Sequence, residues 1–156
     1  MLIKLFNYNW MVRNEWFERC TLLSNEELLR HRIGGPGSIL YTLFHITDVE
    51  YSWIRGIQGQ PDLQVQFESC KSLEQVKELS HCWMQETKAF LDTWSDNFEY
   101  ETVIVPWTEG RYTKGEILRH VIAHEIHHMG QLSIWARELG IQPVSANVIG
   151  RGLFSS

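Results

Sequence analysis

Apolar side chains along most of this chain recur every three or four residues, the spacing that places them on one face of an α-helix. The pattern runs through four long segments, residues 2–20, 38–57, 72–94 and 113–139. Alternation of apolar and polar residues, which is typical of strands, is nearly absent outside residues 95–112. The pattern therefore predicts an all-α fold in which four long helices form a bundle.

Capping and turn-forming residues mark where these helices begin and end. The run Gly34-Gly35-Pro36-Gly37 breaks the chain between the first two long helices, and a Ser-x-x-Glu pattern at residues 24–27 predicts a short helix before it. Thr113 and Glu116 form the same kind of capping box, which predicts the start of the last helix. Gly140 is placed to end that helix.

Two of the connections are longer than the usual bundle turn, namely residues 59–71 and 95–112. They permit a topology other than a simple up-down-up-down bundle. Within the second connection, every second position from 98 to 104 is held by Phe98, Tyr100, Thr102 and Ile104. This alternation predicts a short hairpin or an extended crossover.

Length and charge narrow the class of protein. The chain has 156 residues, which suits one domain over residues 1–156, with residues 141–156 expected to pack as a strap. The net charge of −5 argues against nucleic acid as the main partner.

Three cysteines without a Cys-x-x-Cys spacing disfavour a disulfide framework or a cysteine zinc site. Without a membrane-length apolar run or a signal-peptide pattern, we expect a cytoplasmic protein with no membrane partner.

Histidines are concentrated in the last helix, where four of the seven lie between positions 120 and 128. Rotating that helix by about 100° per residue places His124 and His128 within or beside its apolar face, and His120 and His127 on its rim. Two imidazoles spaced four residues apart can converge on one ion, since their Cβ atoms lie about 5–6 Å apart. The pair predicts a site for zinc, nickel or a similar ion.

A catalytic metal site needs a third protein ligand and an open coordination position. His31, His45 and His81 are the candidates. His45 lies at the edge of the apolar stripe of the second long helix, which favours it only slightly. Spacing alone therefore leaves the third ligand open.

A competing motif covers the same residues, because His124-Glu125-Ile126-His127-His128 satisfies the His-Glu-x-x-His pattern of zinc proteases. In such an enzyme Glu125 would act as general base on a zinc-bound water. A protease of this kind also needs a sheet and usually a third ligand downstream. The chain has no histidine after His128 and few predicted strands, so the pattern is disfavoured as a protease signature.

Taken together, Leu43-Phe44-His45-Ile46 and His124-x-x-x-His128-x-Gly130-Gln131 resemble the motifs of the DinB family, within the wider DinB/YfiT-like superfamily. The resemblance covers essentially the whole chain. It implies a four-helix bundle of up-down-down-up topology with long crossover connections. It also implies a divalent metal ion, most often nickel or zinc, held by His45, His124 and His128.

The resemblance also carries functional expectations. Relatives include transferases and isomerases that use low-molecular-weight thiols, which implies a metal-dependent enzyme, S-transferase-like or hydrolase-like, acting on a small-molecule substrate. Glu125 and His127 are then candidate proton acceptors, and Gln131 a candidate hydrogen-bond partner of a ligand. Many members are homodimers, and the alternative is a non-catalytic metal-binding stress-response protein that acts as a dimeric binding module. The family name refers to DNA-damage induction, which describes expression and not chemistry.

A site made of imidazoles should respond to acid. Protons compete with the metal ion for the ring nitrogens, and the ordinary pKa of imidazole is about 6.5. We expect acidification to release the metal near that pH.

Overall fold

The computed structural model describes residues 2–155 and is mainly helical. Its five α-helices are α1 (Leu2–Cys20), α2 (Asn25–Leu29), α3 (Ile39–Ile57), α4 (Leu73–Leu91) and α5 (Lys114–Glu138). Two 3₁₀ turns, Phe67–Ser69 and Asp96–Phe98, and two short strands, β1 (Thr102–Val103) and β2 (Tyr112–Thr113), complete the regular structure. The four predicted long helices and the short one between the first two are confirmed.

Side-chain caps explain where the helices begin. The Thr113 hydroxyl accepts a hydrogen bond from the Glu116 amide at 3.1 Å, and the Glu116 carboxylate accepts one from the Thr113 amide at 3.4 Å. This is the capping box that the sequence predicts, and it starts the helix that carries most of the histidines. Ser72 caps α4 in a similar way, its hydroxyl accepting a bond from the Gln75 amide.

The two halves of the apolar core give the direction of each long helix. The last turns of α1 and α5 share one half with the first turns of α3 and α4. The first turns of α1 and α5 share the other half with the last turns of α3 and α4. The members that establish this are Phe17, Ile39, Leu73 and Trp135 in the first half and Phe6, Ile57, Leu91 and Ile117 in the second. The bundle is therefore up-down-down-up, as the resemblance implies.

The predicted hairpin is present but shorter than its sequence pattern. β1 pairs with β2 in antiparallel fashion, with Thr102 opposite Thr113. The alternation extends back to Phe98, yet Phe98 ends a 3₁₀ turn and only Thr102–Val103 is extended. The Ser95 hydroxyl accepts a bond from the Asn97 amide, and this local cap favours the turn over a strand.

The chain after α5 crosses the outside of α1, as expected for a strap. Val144 is buried, and the Tyr8 hydroxyl donates to the Ala146 carbonyl at 2.6 Å. Arg151 reaches back to the carboxylate of Glu15. Along residues 2–155, none of the helices is both long enough and apolar enough to cross a membrane.

Candidate metal centre

Three imidazole nitrogens converge where α3 packs against α5. The Nε2 atom of His124 lies 3.1 Å from the Nε2 atom of His45 and 3.1 Å from that of His128. One nitrogen from each of the three rings lies within 4.8 Å of the other two. The structure thus brings together the three residues that the resemblance implies as ligands, and the cluster is compatible with a divalent metal ion.

Each ring is positioned by its own element. His124 and His128 lie one turn apart on α5, where an i, i+4 pair shares a helical face. His45 projects from α3 and stacks on Tyr41 of the preceding turn, with ring centroids 6.0 Å apart. The other two candidates for third ligand, His31 and His81, are both exposed and lie outside the cluster.

The donor set fits zinc or nickel better than a hard cation, because all three donors are imidazole nitrogens. Ligands about 2.0–2.1 Å from a tetrahedral zinc are separated by roughly 3.3–3.4 Å, close to the 3.1 Å spacings here. The Nδ1–H group of His128 donates to Gln131 Oε1 at 2.7 Å. This bond leaves the lone pair of His128 on Nε2, facing the cluster, which is the tautomer a metal ion requires.

Two rings of the cluster, His124 and His45, resist protonation. Burial lowers the pKa of His124 to about 3, with further lowering by the neighbouring His128 and His45. Burial also lowers the pKa of His45, and His128 adds to that effect. Both rings are therefore neutral at physiological pH and have a lone pair available for a metal ion.

The rim histidines lie where the helical rotation places them. His120 and His127 are exposed, whereas His124 is half-buried and His128 is buried. Gln131 donates from Nε2 to the His127 ring at 3.3 Å while its carbonyl oxygen holds His128. Gln131 therefore bridges the His127 and His128 rings by two hydrogen bonds. The role of His127 as proton acceptor stays a prediction.

Glu125 lies apart from the three imidazole nitrogens, in the centre of the bundle. It is 1% exposed, and its two carboxylate oxygens accept bonds from Arg13 Nε at 2.8 Å and Arg13 Nη2 at 2.6 Å. Arg13 also donates to Glu50 at 2.8 Å and to Ser80 at 3.2 Å, so one guanidinium joins all four long helices. In this structure Glu125 holds the bundle together, and both of its oxygens are engaged by Arg13.

A pocket of about 340 Å³ opens beside the cluster and leaves His124 a route to solvent. His124 and His120 form one side of it, and Asp48, Asp62 and Trp107 are among the other lining residues. No sequence pattern marks these last three residues as members of the site. Asp48 could have been found, because it lies three residues after His45 on the same helix and hence on the same side.

The bond between Gln131 and His128 yields a testable prediction. The Gln131→Ala variant frees the His128 ring to rotate and to change tautomer, so we expect metal affinity to fall by about 10- to 100-fold with the fold intact. Competition with a chromogenic chelator measures the affinity. Gln85→Ala, on the exposed face of α4, is the matched control and should bind as the wild type does. An unchanged affinity in Gln131→Ala would show that the bond does not orient the ligand.

Acid release of the metal follows from the lowered pKa values. Because the pKa of His124 lies at about 3 and that of His45 is also lowered, protons compete with the ion only at lower pH than for ordinary imidazoles. We therefore expect half-release below about pH 6.5, the ordinary pKa of imidazole and the value expected from the sequence. Metal content after dialysis across a pH series tests this. Half-release above that pH would contradict it.

Comparisons with known proteins agree with the fold and the motifs. The family model described as DinB family matches residues 1–151. A relative from Bacillus subtilis (strain 168), named uncharacterized protein YizA, is 57% identical over 153 residues, which is 97% of this chain and 96% of that protein.

Two solved structures share the fold. A DinB-like protein from Bacillus cereus ATCC 10987 superposes with a TM-score of 0.71 at 15% identity, covering 94% of this chain and 95% of its own. The DinB-like protein YjoA from Bacillus subtilis superposes with a TM-score of 0.63 at 17% identity, covering 90% and 95%. At these identities the two structures support the architecture alone.

Proposed function

The chain belongs to the DinB family, and we propose that it is a metal-dependent enzyme acting on a small molecule. In this proposal His45, His124 and His128 hold a zinc or nickel ion, and the reaction is an S-transfer from a low-molecular-weight thiol or a hydrolysis. The observation that carries the proposal is the convergence of three imidazoles beside an open pocket. Catalytic metal sites have this composition, with three protein ligands and a position left for substrate or water.

When bound, the ion would supply a Lewis acid that lowers the pKa of a thiol or a water molecule. The protein's own residues orient the ligating rings and contact the substrate. Gln131 holds the His128 ring in its metal-binding tautomer, and Tyr41 stacks on the His45 ring. His120 lines the same pocket as His124 and offers an imidazole to a substrate there. His127, through Gln131, remains the candidate proton acceptor nearest to His128.

The test begins with the metal content of the purified protein and its affinity for zinc and nickel. Metal-loaded protein is then assayed for S-transfer with L-cysteine and 1-chloro-2,4-dinitrobenzene, and for hydrolysis of p-nitrophenyl acetate. The His124→Ala variant and the metal-free protein serve as controls. Turnover that requires both the metal and His124 supports the proposal.

Two other outcomes would count against the proposed enzyme. One equivalent of tightly bound metal without turnover in either assay would favour the non-catalytic metal-binding module. Failure to bind zinc or nickel with micromolar or better affinity would overturn both functions.

A further inference from the structure

We propose that the pocket beside the three histidines recognises an organic ammonium group, so that the substrate of the proposed enzyme is an apolar amine. The inference rests on the proposed function, since it assigns a substrate class to the same site. It is carried by the composition of the pocket and by its continuity with a second cavity.

Two cavities form one cleft along α3 and α5. The pocket of about 340 Å³ beside His124 and a cavity of about 280 Å³ share Trp53 and His120 as lining residues. The second cavity continues toward Tyr112 and Ile117, where the hairpin meets the start of α5. The cleft therefore runs from the metal centre to an end where Tyr112 and Ile117 supply apolar surface beside Glu116, and it suits an elongated small molecule.

The end of the cleft beside the metal centre carries two acidic side chains. Asp48 and Asp62 both line it, and neither lysine nor arginine is among its described lining residues. The Ser52 hydroxyl donates to Asp62 at 2.9 Å, whereas no side-chain hydrogen bond to the Asp48 carboxyl is found among residues 2–155. Burial and the nearby Asp62 raise the pKa of Asp48 to about 6. An ammonium group between the two carboxyls would relieve both the desolvation and the repulsion.

Aromatic walls suit the same ligand. The rings of Trp53 and Trp107 meet edge to face with centroids 5.0 Å apart, and the Tyr112 ring also meets Trp53 edge to face at 6.2 Å. Indole faces attract organic cations and also cover apolar groups. Carboxylates and indoles together therefore favour a ligand that carries a positively charged group on an apolar skeleton.

The position of Trp107 in the pocket wall depends on close packing against Gly56 of α3. A Cβ atom at position 56 would lie 2.9 Å from the Trp107 ring and 2.8 Å from the Val105 side chain. Only glycine lets the segment after β1 approach α3 closely enough to place Trp107 over the pocket. The lining residue Trp107 is thus held by a specific backbone contact.

The test is a ligand titration in which the indole N–H signals of ¹H–¹⁵N NMR spectra report binding. Benzylamine, benzyl alcohol and benzoate have the same ring with positive, neutral and negative charge. We expect benzylamine to bind about tenfold more tightly than benzyl alcohol, with benzoate weakest. The series is measured on zinc-loaded and on metal-free protein, because an amine nitrogen could otherwise ligate the metal directly.

Variants assign the effect to the pocket. Asp48→Asn should reduce the preference for benzylamine to less than about threefold while zinc affinity stays as in the wild type. Asp62→Asn should reduce it as well, and Asp92→Asn, on an exposed residue at the end of α4, should leave it unchanged. Equal binding of all three probes, or a preference that survives both pocket variants, would overturn the inference. Since zinc affinity is measured separately, loss of amine binding with intact metal binding would leave the proposed function standing.

Discussion

Replacing His124 with alanine is expected to lower zinc or nickel affinity by at least roughly 100-fold, more than replacing any other histidine. His124 is the central member of the cluster, since its Nε2 atom lies 3.1 Å from the Nε2 atoms of both His45 and His128. Its removal takes away one ligand and leaves the other two without a common neighbour. Titration against a chelator of known affinity measures the loss.

The other histidines provide a graded comparison. His128→Ala and His45→Ala should each weaken binding strongly, because each removes one of the converging nitrogens. His120→Ala is the matched control, since His120 is an exposed residue of the same helix with its ring centroid 5.9 Å from that of His124. It should change affinity by less than about threefold. Equal losses in His120→Ala and His124→Ala would show that the metal lies elsewhere on this helix face.

Helical periodicity is enough to predict the part of this site that lies on one helix. Rotation along α5 identifies His124 and His128 without any knowledge of the partner helix, because i and i+4 positions always share a face. His45 is different, since its distance from α5 depends on how α3 packs. Its spacing favours it only slightly over His31 and His81, and the resemblance to a family decides the choice.

Contacts between distant segments are the part that the sequence does not reveal. Arg13 is paired with residues 37 and 112 positions away, and no local pattern connects them. Glu125 follows His124 by one position and hence turns about 100° further around α5, toward the bundle centre and not toward the cluster. Asp62 lies in the irregular connection after α3, whose path depends on tertiary packing. The His-Glu-x-x-His motif suggests a general base at position 125. It reads the same whether the Glu125 side chain faces the histidine cluster or the bundle centre.

Replacing Arg13 with methionine is expected to lower the free energy of unfolding by about 3–5 kcal/mol, a large part of the stability of an ordinary domain. Arg13 is 1% exposed and is the ion-pair partner of both Glu50 and Glu125, which are themselves 3% and 1% exposed. Methionine fills a similar volume, so the loss comes mainly from two buried carboxylates without a cation. Chemical denaturation at pH 7 measures it.

The pH dependence of the loss separates this cause from a packing defect. Burial already raises the pKa of Glu125 in the presence of Arg13, and removal of Arg13 raises it further. A carboxyl whose pKa is raised in the folded state destabilises the protein above that pKa, and this cost disappears below the unfolded value of about 4.3. The difference between wild type and Arg13→Met should therefore shrink as pH falls from 7 to 4. Lys77→Met, which removes the exposed ion pair with Glu18, should cost less than about 1 kcal/mol at either pH. A loss in Arg13→Met that is equally small, or that is constant with pH, would mean that the buried carboxylates do not depend on Arg13.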